Sequence, residues 1–297
     1  NRNGTIGIGH TRWATHGAPT DINAHPQTSA DGNLAVIHNG IIENYDSLQK
    51  ELVTLGYSFK SETDTEVLTY LIDHIQSKTK TGLGEAVRLA LQQVVGAYAI
   101  VVISKNEPDQ LVAARKSSPL VVGIGKEGDF FLASDATPIV EYTKSVVYME
   151  DEEIAVINRK NGLKLYGVDD VAKTPYIQEL ELHLEALEKG GYEHFMLKEI
   201  HEQPESLARS ILPYIDQATQ TLNLGDVADT MFAKADRAVA IACGTAYYAA
   251  HTAKYWFEQK AKLAFETDIA SEFRYREPVL PQTGPAMLSP VMRCWMR

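Results

Sequence analysis

The chain has 297 residues, 44% hydrophobic and 23% charged, enough for two ordinary domains with their own cores. Its formal net charge of -11 argues against nucleic acid or an anionic membrane surface as partner, and no apolar run approaches the roughly 20 residues of a membrane helix. There is no CxxC, HExxH or Walker-type glycine loop, so no metal or other cofactor is expected; Cys243 and Cys294 form no disulfide framework, which fits a reducing cytoplasm.

In chain order, Leu34 to His38 is a short apolar run ending in Asn39-Gly40, which reads as a strand meeting a turn. Asp46 to Leu55 puts Leu48, Leu52 and Leu55 on one helical face, and Gly56 stops the helix. Thr63 and Glu66 have the spacing of a capping box for a helix whose buried stripe is Val67, Leu68, Leu71, Ile72 and Ile75. A third helix is predicted over Leu83 to Val94, with Ala86, Leu89 and Ala90 inward. Strands follow at Ala97 to Ile103, Gln110 to Ala114, Leu120 to Ile124, Phe130 to Ala133 and Val146 to Met149. Ile154 to Ile157 and Leu163 to Tyr166 flank Asn161-Gly162, a hairpin signal. Many strands with a few helices, not strictly alternating, predict an α+β fold of stacked antiparallel sheets flanked by helices.

From Thr174 to about Leu224 the pattern turns helical and more polar, with an amphipathic run over Glu179 to Leu187. A second run carries Met196, Leu197, Ile200 and Leu207 and is expected to break at Pro204. A new unit starts near Met231. Ala238 to Ala242 reads as a buried parallel strand, Cys243-Gly244-Thr245 as a tight loop, and Ala246 to about Gln259 as a helix whose N-terminus suits a phosphate or sugar hydroxyls. Leu263 to Ile269 is the next strand candidate.

Several side chains carry two readings. Arg12 sits among Thr11, Trp13 and Thr15, between Gly7-Ile8-Gly9 and Gly17, where backbone can approach a ligand. Its fork suits a free amino acid's carboxylate, and it is equally a structural charge. His10, His16, His25 and His38 lack metal-ligand spacing and read better as packed or hydrogen-bonding histidines. Asn39-Gly40 is either a hairpin dipeptide or an oxyanion hole, where losing one donor costs about 2.7–4 kcal/mol of barrier. Asp64 complements a helix dipole or pairs with a substrate α-ammonium. Cys243, with no base nearby in sequence, reads as a small residue and not a nucleophile.

The runs GHTRWATHG (Gly9 to Gly17), NAHP (Asn23 to Pro26), HNGIIEN (His38 to Asn44), SETDTEV (Ser61 to Val67), HFMLKEIHEQP (His194 to Pro204), ACGT (Ala242 to Thr245) and IASEFRYR (Ile269 to Arg276) resemble the glutamine–fructose-6-phosphate aminotransferase family, in family order. The resemblance implies an N-terminal nucleophile hydrolase-like glutaminase over residues 1–193, linker helices over 194–230 and the start of an α/β sugar isomerase domain over 231–297. It implies that an N-terminal cysteine attacks the glutamine amide, with its own α-amine as base. Asn39 and Gly40 would stabilise the oxyanion. Arg12 and Asp64 would bind the two charges of glutamine, with Thr15, His16 and His25 lining the pocket. Trp13 would gate ammonia towards the second domain, where Cys243, Gly244 and Thr245 would contact fructose 6-phosphate on the way to glucosamine 6-phosphate. The whole protein is expected to be a cytoplasmic homodimer.

Three departures from the family pattern bear on these expectations. Ala246 stands where the family usually has Ser, which removes one hydroxyl from the sugar loop. Gly284 to Arg297 reads GPAMLSPVMRCWMR in place of an apolar strand and a Ser-rich phosphate loop, so this tail is expected to be aberrant. The chain begins at Asn1 with no cysteine nearby, and by itself is expected to release no ammonia from glutamine. Two rivals remain. Another amidotransferase with the same ammonia-producing half, such as a phosphoribosyl-amine synthase, would lack the strand-CGT-helix unit and IASEFRYR. A non-catalytic sugar-phosphate-binding regulator would have no use for Arg12 with Asp64.

Overall fold

The computed structural model describes residues 4–180, 189–216, 219, 221–222, 237–276 and 278–279. The chain divides into two compact units, Asn1–Leu184 and Glu185–Arg297. The strands of unit 1 are β1 (Gln27–Thr28), β2 (Leu34–Ile42), β3 (Gly96–Ser104), β4 (Gln110–Lys116), β5 (Val121–Ile124), β6 (Phe130–Ala133), β7 (Ser145–Tyr148), β8 (Glu153–Asn158), β9 (Gly162–Gly167), β10 (Ala172–Lys173) and β11 (Gln178–Glu179). Its helices are α1 (Tyr45–Thr54), α2 (Asp64–Thr79) and α3 (Leu83–Leu91).

The strands form two antiparallel sheets, ordered β1-β2-β3-β4-β8-β9-β10 and β11-β7-β5-β6. The larger sheet is buried on both faces at its centre, which is why β3 reads as a nearly unbroken apolar run. On one face Val36, Ile100, Val112 and Ile154 meet Leu52, Leu68, Ile72 and Val87 of the helices. On the other, Val101, Ala113 and Ala155 meet Val122, Val147 and Met149 around the smaller sheet. Helices, large sheet and small sheet thus stack in that order. Each fully buried Leu or Ile contributes roughly 1.5–3 kcal/mol.

The β8–β9 hairpin forms at Asn161-Gly162 as read from sequence. Asn39-Gly40 does not form a turn. Both residues lie inside β2, with Asn39 opposite Ala99 and Gly40 opposite Tyr98. Gly40 has φ +130, and a Cβ there would stand 2.1 Å from the Ala97 carbonyl oxygen. The glycine therefore serves close strand contact, not chain reversal.

The capping box is half realised. Thr63 Oγ1 accepts the Glu66 N–H at 3.2 Å, but the Thr63 N–H donates to Ser61 Oγ at 3.2 Å. The Glu66 carboxylate instead accepts the N–H groups of Lys60 and Ser61, the latter at 2.7 Å. Leu48 and Leu52 are buried as expected, whereas Leu55, just past the last turn of α1, is 51% exposed. The run expected from Glu179 to Leu187 begins in β11, and residues 181–188 lie outside the described residues.

In unit 2, α4 (Phe195–Ile211) continues through Pro204. The proline removes one N–H donor, but ion pairs Lys198–Glu202 and Arg209–Glu205 bridge the turns before and after it. Short strands β12 (Ile215–Asp216) and β13 (Thr221–Leu222) pair with each other. Then β14 (Arg237–Ala242), α5 (Gly244–Trp256) and β15 (Ala264–Ile269) make a parallel β-α-β unit, and α6 (Ala270–Tyr275) follows. Ile241 and Ala270 are the buried centre of this piece, with Val239 and Phe273 packed on them. The start near Met231 and the tail from Gly284, with Cys294, lie outside the described residues. Among the described residues no helix is long and apolar enough to cross a membrane.

Candidate functional site

The segment from Gly4 to Gly17 contains neither helix nor strand. Side-chain bonds hold its end in place. Arg12, with φ +35, donates from one terminal nitrogen to the Ala18 carbonyl at 3.1 Å. From the other it donates to the carbonyls of His16 and Gly17. Buried Asn23 also donates to the Ala18 carbonyl, at 3.0 Å, and accepts the Glu62 N–H at 3.0 Å. Gly17 is required here, because a Cβ would meet Asn23 Nδ2 at 2.6 Å and Glu62 Cβ at 2.8 Å. Gly7 and Gly9, read as allowing close approach, have nothing within 4 Å of a Cβ.

Asp64 is the first residue of α2 and is 3% exposed. Its Oδ2 accepts the Ile42 N–H at 2.9 Å and lies 3.9 Å from His38 Nδ1. Its Oδ1 lies 4.0 Å from His16 Nδ1. Arg12 holds the carbonyl of His16 while Asp64 faces its ring, so cation and carboxylate bracket one residue. The His16 ring also meets the Tyr45 ring edge-on at 4.9 Å. Thr15 Oγ1 is 3.3 Å from His16 Nδ1, and Trp13 stands in solvent, 92% exposed.

A second group joins these residues. His10 Nε2 is 2.7 Å from Asn39 Oδ1, and His10 Nδ1 accepts the Arg12 N–H at 2.8 Å. His25 Nδ1 is 3.2 Å from His10 Nδ1, and His25 Nε2 is 3.0 Å from Thr65 Oγ1. Thr65 Oγ1 is also 3.1 Å from buried His38 Nδ1. Burial pushes His25 down to about 4, helped by His10, His38 and Arg12 and opposed by Asp64. Burial likewise lowers His38, against the pull of Asp64. Among the described residues no group of three His, Cys, Asp or Glu side chains is placed to hold a metal ion; these rings engage one another, Thr65 and Asn39.

The structure thus gathers Arg12, His16, His25, Asn39 and Asp64 from separate segments. It adds Thr65, which nothing in the sequence marked beyond its place in a helix first turn, and His10 and His38, whose hydrogen-bonding reading holds. Clefts of about 320 Å³ between α1, α2 and α3 and about 600 Å³ in unit 2 are lined by other residues. In unit 2, Cys243, Gly244 and Thr245 sit exposed at the start of α5, with Cys243 at the N-cap position and Gly244 at φ +57.

Residues 10–141 match a family described as a glutamine amidotransferase domain. The chain is 52% identical over 281 residues to the glutamine–fructose-6-phosphate aminotransferase (isomerizing) of Bacteroides thetaiotaomicron, covering 94% of this chain and 46% of that protein. It is 48% identical over 279 residues to the protein of the same name from Chlorobaculum tepidum, covering 93% and 45%. Against that from Clostridium acetobutylicum it is 45% identical over 279 residues, with the same coverage. The chain spans a little under half the length of these relatives. The alignments run through both units, and the chain belongs to the glutamine–fructose-6-phosphate aminotransferase family.

Proposed function

We propose that unit 1 binds glutamine and releases its amide nitrogen, and that the whole protein transfers this ammonia to fructose 6-phosphate, forming glucosamine 6-phosphate. The bracketing of His16 by Arg12 and Asp64 carries this reading. The guanidinium takes the α-carboxylate of glutamine in place of loop carbonyls. Asp64 Oδ1, which faces His16 and not the Ile42 N–H, takes the α-ammonium. Thr15, His16 and His25 line the pocket. A thiolate adds to the amide carbon, and the side-chain N–H of Asn39 and the backbone N–H of Gly40 receive the oxyanion. The cysteine's α-amine, having taken the thiol proton, returns it to the amide nitrogen, so that collapse expels ammonia and leaves a thioester, which water hydrolyses to glutamate. Trp13 gates the ammonia, and Cys243, Gly244 and Thr245 contact the sugar phosphate. The domain limits 1–193, 194–230 and 231–297 and a cytoplasmic homodimer belong to the same proposal.

Calorimetric titration of this chain with glutamine and with fructose 6-phosphate tests the reading. Glutamine should bind, and Arg12→Ala or Asp64→Ala should each weaken it about tenfold or more. Binding of the sugar phosphate without glutamine would instead favour a sugar-phosphate-binding regulator.

A further inference from the structure

His10 touches three partners, and one of them fixes its tautomer. The backbone N–H of Arg12 is a donor and nothing else, and it points at His10 Nδ1 at 2.8 Å. A neutral His10 therefore carries its proton on Nε2. That proton faces Asn39 Oδ1 at 2.7 Å. The side-chain amide of Asn39 has two ends, and this contact selects the oxygen for His10 and leaves Nδ2 for another partner.

The assignment extends to His25, which shares the His10 Nδ1 lone pair with the Arg12 N–H at a longer distance. His10 Nδ1 offers only a lone pair, so His25 Nδ1 at 3.2 Å is the protonated nitrogen of its ring. His25 Nε2 then accepts from the Thr65 hydroxyl at 3.0 Å, and Thr65 Oγ1 accepts from His38 Nδ1–H at 3.1 Å. His38 Nε2 is buried with no hydrogen-bond partner at strict geometry among the described residues, and the Ala97 carbonyl is the backbone acceptor acting on this ring. The opposite arrangement, with His38 protonated on Nε2, reverses every bond as far as His25. Its Nδ1 would then face the lone pair of His10 Nδ1 at 3.2 Å.

We propose that His10 is a positioning residue for the oxyanion donor: its Nε2–H holds Asn39 by the carbonyl oxygen, so that Nδ2–H faces the reacting amide, and the Arg12 backbone N–H keeps His10 in the tautomer that does this. The proposal rests on the oxyanion role given to Asn39 above.

Two measurements test it. Long-range ¹H–¹⁵N correlation spectra of this chain labelled in histidine should show His10 protonated on Nε2. A His10 protonated on Nδ1 overturns the proposal, with no variant needed. Kinetics require a thiol nucleophile, and unit 1 contains no cysteine, so they use a version of the chain with a cysteine-bearing start of the family's type joined ahead of residue 1. There His10→Leu should lower the glutaminase kcat about tenfold or more, with KM for glutamine changed less than about threefold. His10→Gln, whose Nε2 can replace the ring donor, should recover most of kcat. In an Asn39→Ala background His10→Leu should have little further effect, which a merely structural role would not produce. Equal losses for His10→Leu and His10→Gln, or full additivity with Asn39→Ala, overturn the proposal. If Asn39→Ala itself leaves kcat intact, the oxyanion assignment fails first; if Asn39→Ala loses activity and His10→Leu does not, the positioning role alone fails.

Discussion

The Asp64 carboxylate accepts the Ile42 N–H at 2.9 Å, so the residue assigned to the ammonium of the substrate also ties the start of α2 to the end of β2. Ile42 is fully buried, and water cannot replace that bond. Asp64→Ala should cost about 1–3 kcal/mol in urea unfolding as well as glutamine binding. Asp64→Asn keeps an acceptor for Ile42, so its stability should stay within about 1 kcal/mol of the parent. Its glutamine affinity, measured by calorimetry, should still fall about tenfold.

Gly40 combines φ +130 with an Ala97 oxygen 2.1 Å from where a Cβ would be. Gly40→Ala should therefore destabilise unit 1 by at least about 2 kcal/mol, seen as a lower Tm. Gly7→Ala places its methyl where nothing lies within 4 Å, and should change stability by less than about 0.5 kcal/mol.

The Arg12 fork reaches the carbonyls of His16, Gly17 and Ala18. An ammonium cannot span them with the same planar geometry. Arg12→Lys should keep the charge yet still lose glutamine affinity about tenfold or more, close to the effect of Arg12→Ala. Recovery of full affinity by lysine would show that charge alone suffices.

Acid should loosen this site before it unfolds the sheets. His25 is held down to about 4 in the fold, against an ordinary value of 6.5. The unfolded chain thus binds the proton first, and the contribution of neutral His25 is complete above about pH 7 and lost as pH falls from 6.5 towards 4. His38, lowered by burial, acts in the same direction. His10, Arg12, Asp64 and His38 are the charged or titratable groups acting on His25. Unfolding free energies from urea titrations between pH 7 and 4.5 should fall with a slope of up to about 1.4 kcal/mol per pH unit for each such proton. His25→Gln should flatten the slope.

Most of the scaffold was legible because local chemistry and tertiary context agree. Ala97 to Ile103 is observed within Gly96–Ser104, and Phe130 to Ala133 with the bounds read from sequence. Where one dipeptide carries two meanings, pairing decides. Asn39-Gly40 has the chemistry of a turn, but nine continuous partners in β3 draw it into β2. The same holds for Glu66: its spacing suggests a bond to Thr63, while the bend at Lys60 and Ser61 presents donors closer to its carboxylate. The histidine contacts were beyond any spacing argument, since they join residues 15, 40 and 27 positions apart. Arg12 and Asp64 stand out by charge, by their glycine-flanked and helix-start settings and by the family resemblance; that both would meet at His16 required the fold.

The segment leading into the site has no helix or strand between Gly4 and Gly17, and only Ile6 and Ile8 of its side chains pack against the inter-sheet core. Its remaining attachments include His10 to Asn39 and His16 to Tyr45 and Asp64, while the Arg12 fork bonds carbonyls at the ribbon's own end. Construction is therefore expected to be sequential, with the layered frame finished first and the ribbon settling onto it afterwards. Hydrogen exchange should record that order, with the amides of β3 guarded for far longer than that of Arg12.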